Sequence, residues 1–225
     1  MFNNKKVCCI IPARQNSKGI KNKNLKKIKN KPLIYYPIKN ALSSKIIDKI
    51  YINSDSSKII NYSKKFKSIS QFLRPKKLGR DKTNIFDVLK DQIEKLELIK
   101  KYHILILLEA TSPFSTTEDI DKALKNMIKG NYNSFLPVTK KTIPRFDYEI
   151  KINKNLIKPN NKINRNRQEF KEKYYLCGIF YISKIKNYLK NKSFIQNKTG
   201  FLEINNEKII EIDDNFDLKL ARLLK

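Results

Sequence analysis

Three short stretches combine charged and hydroxyl-bearing side chains at spacings that can do chemistry. The first is Ile11-Pro12-Ala13-Arg14-Gln15-Asn16-Ser17-Lys18-Gly19, with Lys21, Lys23 and Asn24 close behind. Its cations, the Ser17 hydroxyl and the backbone N–H groups of a turn at Gly19 form a donor set that suits phosphate oxygens. The G-x-x-x-x-G-K-[ST] spacing of a P-loop is absent, so these residues alone also allow a basic surface turn. The second stretch is Leu107-Leu108-Glu109-Ala110-Thr111-Ser112-Pro113. Glu109 and the hydroxyls of Thr111 and Ser112 could hold a sugar or a base, or could simply form a turn leading into a helix. The third is Glu211-Ile212-Asp213-Asp214-Asn215-Phe216-Asp217. On a strand, Glu211 and Asp213 would face one side and Ile212 the other. Two such carboxylates can hold one Mg²⁺ and leave room for water and phosphate oxygens. Helix capping by Asp214 or Asn215 accounts for the same cluster equally well.

These stretches need elements to position them. Lys6 to Pro12 reads as a short strand, and Arg14 to Asn24 as the loop beyond it. A helix over Lys31 to Ser44 is expected from Leu33, Ile34, Ile38, Ala41 and Leu42. Ile47 to Ser54 reads as a strand, Ser56 to Phe66 as a helix, and Asn84 to Lys101 as a longer helix with Ile85, Val88, Leu89, Ile93 and Leu96 on its apolar face. Tyr102 to Leu108 is almost continuously apolar, the pattern of a parallel strand buried on both sides. Thr117 to Lys129 reads as a helix with Thr117 as N-cap. The alternation predicts a parallel sheet flanked by helices, in which the Arg14 and Glu109 loops lie beyond strand carboxyl ends and share a crevice. Ser134 to Phe170 breaks the rhythm: strand-like Phe135 to Thr139 is followed by Pro144, Pro159 and many Asn and Lys, a β-rich excursion. Strand character returns at Tyr174 to Ser183. Lys208 to Asp213 reads as a strand and Phe216 to Leu224 as a helix.

Single residues add less. Asp55 ends a strand and could bond a base or ribose, or form a turn. Arg74-Pro75 and Asp81 could line the crevice or lie in a solvated loop, and Arg167-Gln168 sits where the excursion rejoins the sheet. His103 suits a structural role at the start of a buried strand. Cys177, beside Gly178, suits buried packing, as do Cys8 and Cys9.

Composition bounds the function. The 225 residues, 40% of them hydrophobic, suit one α/β domain. Three cysteines, two of them adjacent, exclude a disulfide scaffold, and one histidine excludes a His-rich metal centre. No apolar run is long enough to cross a membrane, and Pro12 and Arg14 close the first one at once, so no signal peptide and a cytoplasmic location are expected. The net charge of +28 could attract nucleic acid. However, lysines are spread along the chain among Asn and Ile, as in a composition-set basic surface, and no RRM, KH or zinc-finger signature is present. No nucleic-acid partner is expected.

Taken together, the loops resemble the cytidylyltransferases that activate nonulosonic acids, the CMP-N-acylneuraminate (CMP-sialic acid) synthetase family. The resemblance rests most specifically on Pro12 to Gly19 with Lys23-Asn24-Leu25. It continues at Ser54-Asp55, Arg74-Pro75, Leu107-Leu108 with Thr111-Ser112-Pro113, Arg167-Gln168, Gly178 to Ile182, and Ile212-Asp213 with Asp217. The sister family that activates the eight-carbon acid KDO has a first loop without Ser-Lys-Gly.

The resemblance implies a Rossmann-like, mostly parallel sheet of the nucleotide-diphospho-sugar transferase type, in a single domain over residues 1–225. It implies a homodimer whose dimerisation arm is residues 134–170. The partners would be CTP and an acidic nine-carbon sugar, with Mg²⁺ as cofactor. Arg14, Lys23 and Asp213 would be catalytic. Ala13, Ser17, Lys18, Gly19, Asn24, Asp55, Arg74 and Asp81 would serve the nucleotide with Arg14 and Lys23. Glu109, Thr111, Ser112, Arg167, Gln168 and Cys177 would serve the sugar, and Glu211 with Asp213 the metal. Four positions depart from the family pattern. Glu109-Ala110 replaces Gln-Pro, Cys177 replaces Asn, and Glu211 replaces Asp, changes that suggest a different nonulosonate such as a legionaminic- or pseudaminic-type acid. A related enzyme using another acidic sugar or base, and a non-catalytic nucleotide-binding relative, are the alternatives.

Overall fold

Runs of branched apolar residues build the sheet, and amphipathic stretches cover it. The computed structural model describes residues 2–141, 150–153, 156–159 and 173–225. In chain order the elements are β1 (Val7–Pro12), β2 (Lys27–Ile28), β3 (Lys31–Pro32), α1 (Tyr35–Ser43), β4 (Lys49–Ser54), α2 (Ser57–Ser63), β5 (Ile69–Leu73), α3 (Ile85–Lys95), α4 (Leu98–Lys101), β6 (Ile104–Leu108), α5 (Thr117–Lys129) and β7 (Ser134–Lys141). There follow β8 (Ile150–Asn153), β9 (Leu156–Pro159), β10 (Lys173–Leu176), β11 (Phe180–Lys184), α6 (Ile185–Asn191), β12 (Thr199–Glu203) and α7 (Asn215–Leu224).

In the main sheet, β1 pairs in parallel with β4 and β6, and β4 with β5. β11 runs antiparallel to β6 and β7, while β12 runs parallel to β7. Ser134 and Phe135 pair with β11 on one side and β12 on the other, and Val138 pairs with both β10 and β12. β10 and β11 therefore share one edge of β7 as a single strand interrupted at Cys177-Gly178-Ile179. The sheet is mostly parallel with helices on both faces, the expected fold class. Along β1, Val7, Cys9 and Ile11 enter one apolar cluster, whereas Cys8 and Ile10 enter another. Both faces are covered, which is why the strand reads as an unbroken apolar run.

Several boundaries differ from the sequence expectations. Lys31-Pro32 pairs with Lys27-Ile28 as a small hairpin, and the helix starts only at Tyr35. The helix expected over Asn84 to Lys101 breaks at Glu97, which adopts the left-handed conformation (φ 51°). Thr116, not Thr117, caps α5, its side chain accepting the Asp119 N–H. Lys208 to Asp213 is not a strand: its described cross-chain backbone bond is from Ile212 N–H to the Thr111 carbonyl, at 2.9 Å. Besides that hairpin, β5, β12 and α6 were not anticipated. Each is short and set among Lys and Asn, so its apolar pattern is diluted.

The chain leaves β1 for β4 and β5 on one side, then returns to place β6 on the other side of β1. That reversal opens a crevice beyond the carboxyl ends of β1 and β6, the position at which open α/β sheets bind ligands.

Candidate active site

The crevice between the β1 and β6 loops is a cleft of about 400 Å³, within the range of small-molecule sites. Arg14, Ser17, Lys23 and Asn24 line it from the β1 loop, and Arg74, Arg80, Asp81 and Thr83 from the segment after β5. Glu109 and Thr111 enter after β6, and Glu211 and Asp213 from the segment before α7.

The cations are pre-paired. Arg14 donates to Asp81 at 2.6 Å and Lys23 to Asp213 at 2.9 Å, while Arg74 lies 3.5 Å from Asp55. Asp55 also accepts the Gln15 backbone N–H at 2.9 Å, so one carboxylate ties the β1 loop to the segment after β5. Asp55 itself sits beneath the loops rather than in the cleft wall. Arg74 is 5% exposed and its Nε has no hydrogen-bond partner; burial lowers its pKa against the opposing pull of Asp55. Asn24 donates to the Arg14 carbonyl at 3.0 Å, yet its Oδ1 is buried without a partner. Buried polar atoms of this kind are normally satisfied, and those at a cleft wall fit a polar ligand.

The acids gather around Lys23. Burial raises the Glu109 carboxyl to about 7, with the charges of Glu211 and Asp213 pushing the same way and Lys23 opposing. Burial and Asp213 likewise raise Glu211, against a hydrogen bond from the Gly178 backbone. Tyr181, between them, is pushed up to about 12 by burial and then by Glu109. Among the described residues, no three His, Cys, Asp or Glu side chains are grouped closely enough to hold a metal ion by themselves. A pair of carboxylates with open positions fits Mg²⁺ better than a closed protein cage does.

The local fold explains why these acids meet. Ile212 is fully buried with Ile20, Ile28, Leu33 and Leu218, so its neighbours Glu211 and Asp213 are left at the cleft. The side expected of each residue holds although the strand does not form. Asp217 accepts the backbone N–H groups of Asp213 and Asp214, and Asp214 in turn caps α7. Capping and cleft-lining are thus divided among the acids rather than competing. Two glycines make the approach possible. A Cβ on Gly178 would lie 2.1 Å from Glu211 Oε1, and one on Gly19 would lie 2.1 Å from the Asp213 carbonyl oxygen.

Other expected residues lie elsewhere. Ala13 is buried, its N–H bonded to the Asn53 carbonyl. Lys18 is exposed, and Ser112 is buried with its hydroxyl 3.3 Å from the Gly178 carbonyl. Cys177 is 4% exposed and packs in the core with its Sγ toward the Tyr175 carbonyl, so it does not line the cleft. Arg167 and Gln168 fall outside the described residues. Sequence reasoning missed Arg80, Thr83, Ile85 and Tyr181 as cleft residues. The Arg80-Asp81 adjacency was the available signal for the first.

The cytidylyltransferase family model matches residues 8–224. The chain is 30% identical to the N-acylneuraminate cytidylyltransferase of Escherichia coli O18:K1:H7 over 96% of its own length and 51% of that protein. It is also 30% identical to a pseudaminic acid cytidylyltransferase of Campylobacter jejuni, covering 97% of this chain and 96% of the other. The chain thus spans about half of the first relative and nearly all of the second. In fold it is similar to a CMP:2-keto-3-deoxy-manno-octonic acid synthetase complexed with CTP, at 17% identity and a TM-score of 0.72, covering 97% of this chain and 98% of the other. With a family match over almost every residue and the shared fold, the chain belongs to the cytidylyltransferase family.

Proposed function

We propose that the protein transfers CMP from CTP to a nonulosonic acid, releasing pyrophosphate. The observation that carries this reading is a single cleft that lines up the cations Arg14, Lys23 and Arg74 with the carboxylates Glu109, Glu211 and Asp213, the Lys23–Asp213 pair joining the two sets. The cations suit a triphosphate, and the neighbouring carboxylates suit a divalent ion beside the reacting groups. The family match and the named substrates of the relatives support the choice of CTP and a sugar acid.

The anomeric hydroxyl of the acid attacks the α-phosphorus. A new P–O bond forms, the bond to the bridging oxygen breaks, the hydroxyl proton is lost to water or base, and pyrophosphate departs. Such chemistry is mostly positioning and charge stabilisation. Arg14 would turn from Asp81 to neutralise charge that develops on the leaving group. Lys23 would grip the triphosphate, with Ser17 and the loop amides helping, and Arg74 and Asn24 would supply their unpartnered atoms to the nucleotide. Glu211 and Asp213 would hold Mg²⁺, which when bound neutralises phosphate charge and lowers the pKa of the attacking hydroxyl. The crowding that raises Glu109 and Glu211 is the observation that fits such an ion.

Arg167 and Gln168 would serve the sugar side, and residues 134–170 would form the arm of a homodimer. The described part of that arm includes the antiparallel pair β8–β9, which forms a sheet of its own. Cys8 and Cys9, adjacent buried thiols, support a cytoplasmic enzyme. No helix among the described residues is long and apolar enough to cross a membrane. The test is pyrophosphate release with Mg²⁺, pairing each of CTP, UTP, GTP and ATP with a panel of nonulosonic acids and KDO. Release confined to CTP with a nonulosonic acid is expected; release with none of the acids refutes the reading.

A further inference from the structure

A second hollow, of about 360 Å³, lies at the amino ends of β1 and β6 and shares no residue with the cleft beyond their carboxyl ends. From Ile104 to Glu109 the chain covers about 17 Å when extended, so the two are separate places on the molecule. Ile99, Ile104, Met127 and Ile128 supply apolar walls, with the rings of Tyr102 and Tyr132. The walls are held by the main chain. His103 N–H donates to the Lys6 carbonyl at 2.8 Å, and the His103 carbonyl accepts the Ile185 N–H at 3.0 Å. Two glycines seat the Tyr132 ring: a Cβ on Gly130 would lie 2.3 Å from its Cε2, and one on Gly200 3.0 Å from its Cγ.

Four lysines, Lys5, Lys100, Lys184 and Lys186, line this hollow, and no Asp or Glu among the described residues does. Lys100 pairs with Glu97. Lys5 and Lys186 have no ion pair or side-chain hydrogen bond among the described residues. Lys184 donates to neutral amide oxygens, of Asn131 at 2.8 Å and Asn133 at 3.3 Å. Burial, and then the charges of Lys5 and Lys198, lower its pKa, as unmatched positive charge must. His103 Nδ1 accepts the Lys6 N–H at 3.1 Å, which leaves Nε2 to donate. In the cleft, by contrast, Arg14, Lys23 and Arg74 each face an aspartate. Here the missing partner is an anion, and the apolar walls reward one that brings an apolar body with it.

We propose that this hollow is a second binding site, for a small organic anion with an apolar or aromatic body and one acidic oxygen group. A bare inorganic ion would leave the walls uncovered, and a neutral apolar molecule would leave the lysines unmatched. The inference does not depend on the reaction proposed for the cleft.

The test is a fluorescence titration with 8-anilinonaphthalene-1-sulfonate, an aromatic body with one anionic group, run with and without excess CTP. Saturable binding of about one dye per chain, unchanged by CTP, is expected. N-phenyl-1-naphthylamine, which has the same body without the sulfonate, should bind at least about tenfold more weakly. An exposed charge contact is worth a factor of about two to five, so the double variant Lys5→Gln/Lys186→Gln should raise Kd roughly three- to tenfold or more. Its melting should hold, since neither lysine has a partner to lose. Ile99→Asn, at the exposed lip, should raise Kd several-fold through lost apolar contact. Absence of saturable binding overturns the inference, as does displacement of the dye by CTP or by inorganic phosphate at matched concentration. So does equal binding of the neutral dye, or a Kd that neither variant alters.

Discussion

Replacing Glu109 with Gln keeps the shape of the side chain and removes its charge. The Glu109 carboxyl is raised from 4.5 to about 7, chiefly by burial and then by Glu211. Because the folded value lies above the unfolded one, the native state holds an extra proton between these limits. Its contribution to stability is complete below pH 4.5, declines as pH rises, and is gone above about 7. The gap corresponds to about 3 kcal/mol at ~1.4 kcal/mol per pH unit. Glu109 is partly open to the cleft, and water there reduces the penalty to about 1–2 kcal/mol. The slope belongs to Glu109 and Glu211 together, since each raises the other's cost of ionising. Glu109→Gln should therefore gain on wild type as pH rises from 5 to 8. For a chain of this size the gain amounts to roughly 2–8 °C in melting temperature. The assay is thermal unfolding of the ligand-free protein in EDTA, at half-unit pH steps. A melting difference identical at pH 5 and pH 8 refutes the account of a carboxyl held neutral by its surroundings.

Arg14→Ala should lower turnover about 10²-fold, the scale of one preorganised charge contact, in a pyrophosphate-release assay, and should leave melting almost unchanged because the Arg14–Asp81 pair is open enough to solvent to be screened. Asp213→Ala should abolish Mg²⁺-dependent release; activity retained at any Mg²⁺ concentration would place the ion elsewhere. The two glycines should respond differently to Ala. At Gly178 the new methyl meets the movable end of Glu211, so activity should fall while stability changes by less than about 1 kcal/mol. At Gly19 it meets the Asp213 main chain, so urea unfolding should show a loss of about 1–3 kcal/mol. Cys8 and Cys9 are fully buried, and burial pushes both thiols well above their ordinary value, so neither should react with a thiol reagent until the chain unfolds.

The strands that carry the crevice were legible because parallel strands buried on both sides need unbroken apolar runs, and Val7 to Ile11 and Ile104 to Leu108 supply them. The loops were legible because Arg14, Lys23 and Glu109 concentrate charge beyond such runs, and Glu211 and Asp213 because two acids flank an apolar Ile212. The segment around Ile212 was misread as a strand, since one deeply buried side chain between two cleft acids leaves the same alternation as a sheet would. Arg80 and Thr83 were hidden because lysine-rich loops look alike, whether they cover a ligand or face solvent. A further cue lay in the glycines. No described glycine has positive φ, and left-handed positions at 22, 30 and 131 are filled by Asn. In a chain that makes such turns with asparagine, glycine signals crowding instead, and Gly19 and Gly178 both mark the contact of Asp213 and Glu211 with neighbouring backbone.

The three internal ion pairs of the cleft have a consequence for a protein of net charge +28. A bare cluster of arginine and lysine would be occupied by whichever cellular anion was most abundant. Asp81, Asp213 and Asp55 act as tethered competitors already in place. An inorganic phosphate that displaces one of them exchanges one charge contact for another and gains little. Under the proposed reaction, a triphosphate with its divalent ion would release several at once, since its oxygens would meet the cations and Asp213 would be free to hold the ion. A cleft paired in this way would act as a threshold device, little moved by small anions and responsive to one that reaches several of its cations together.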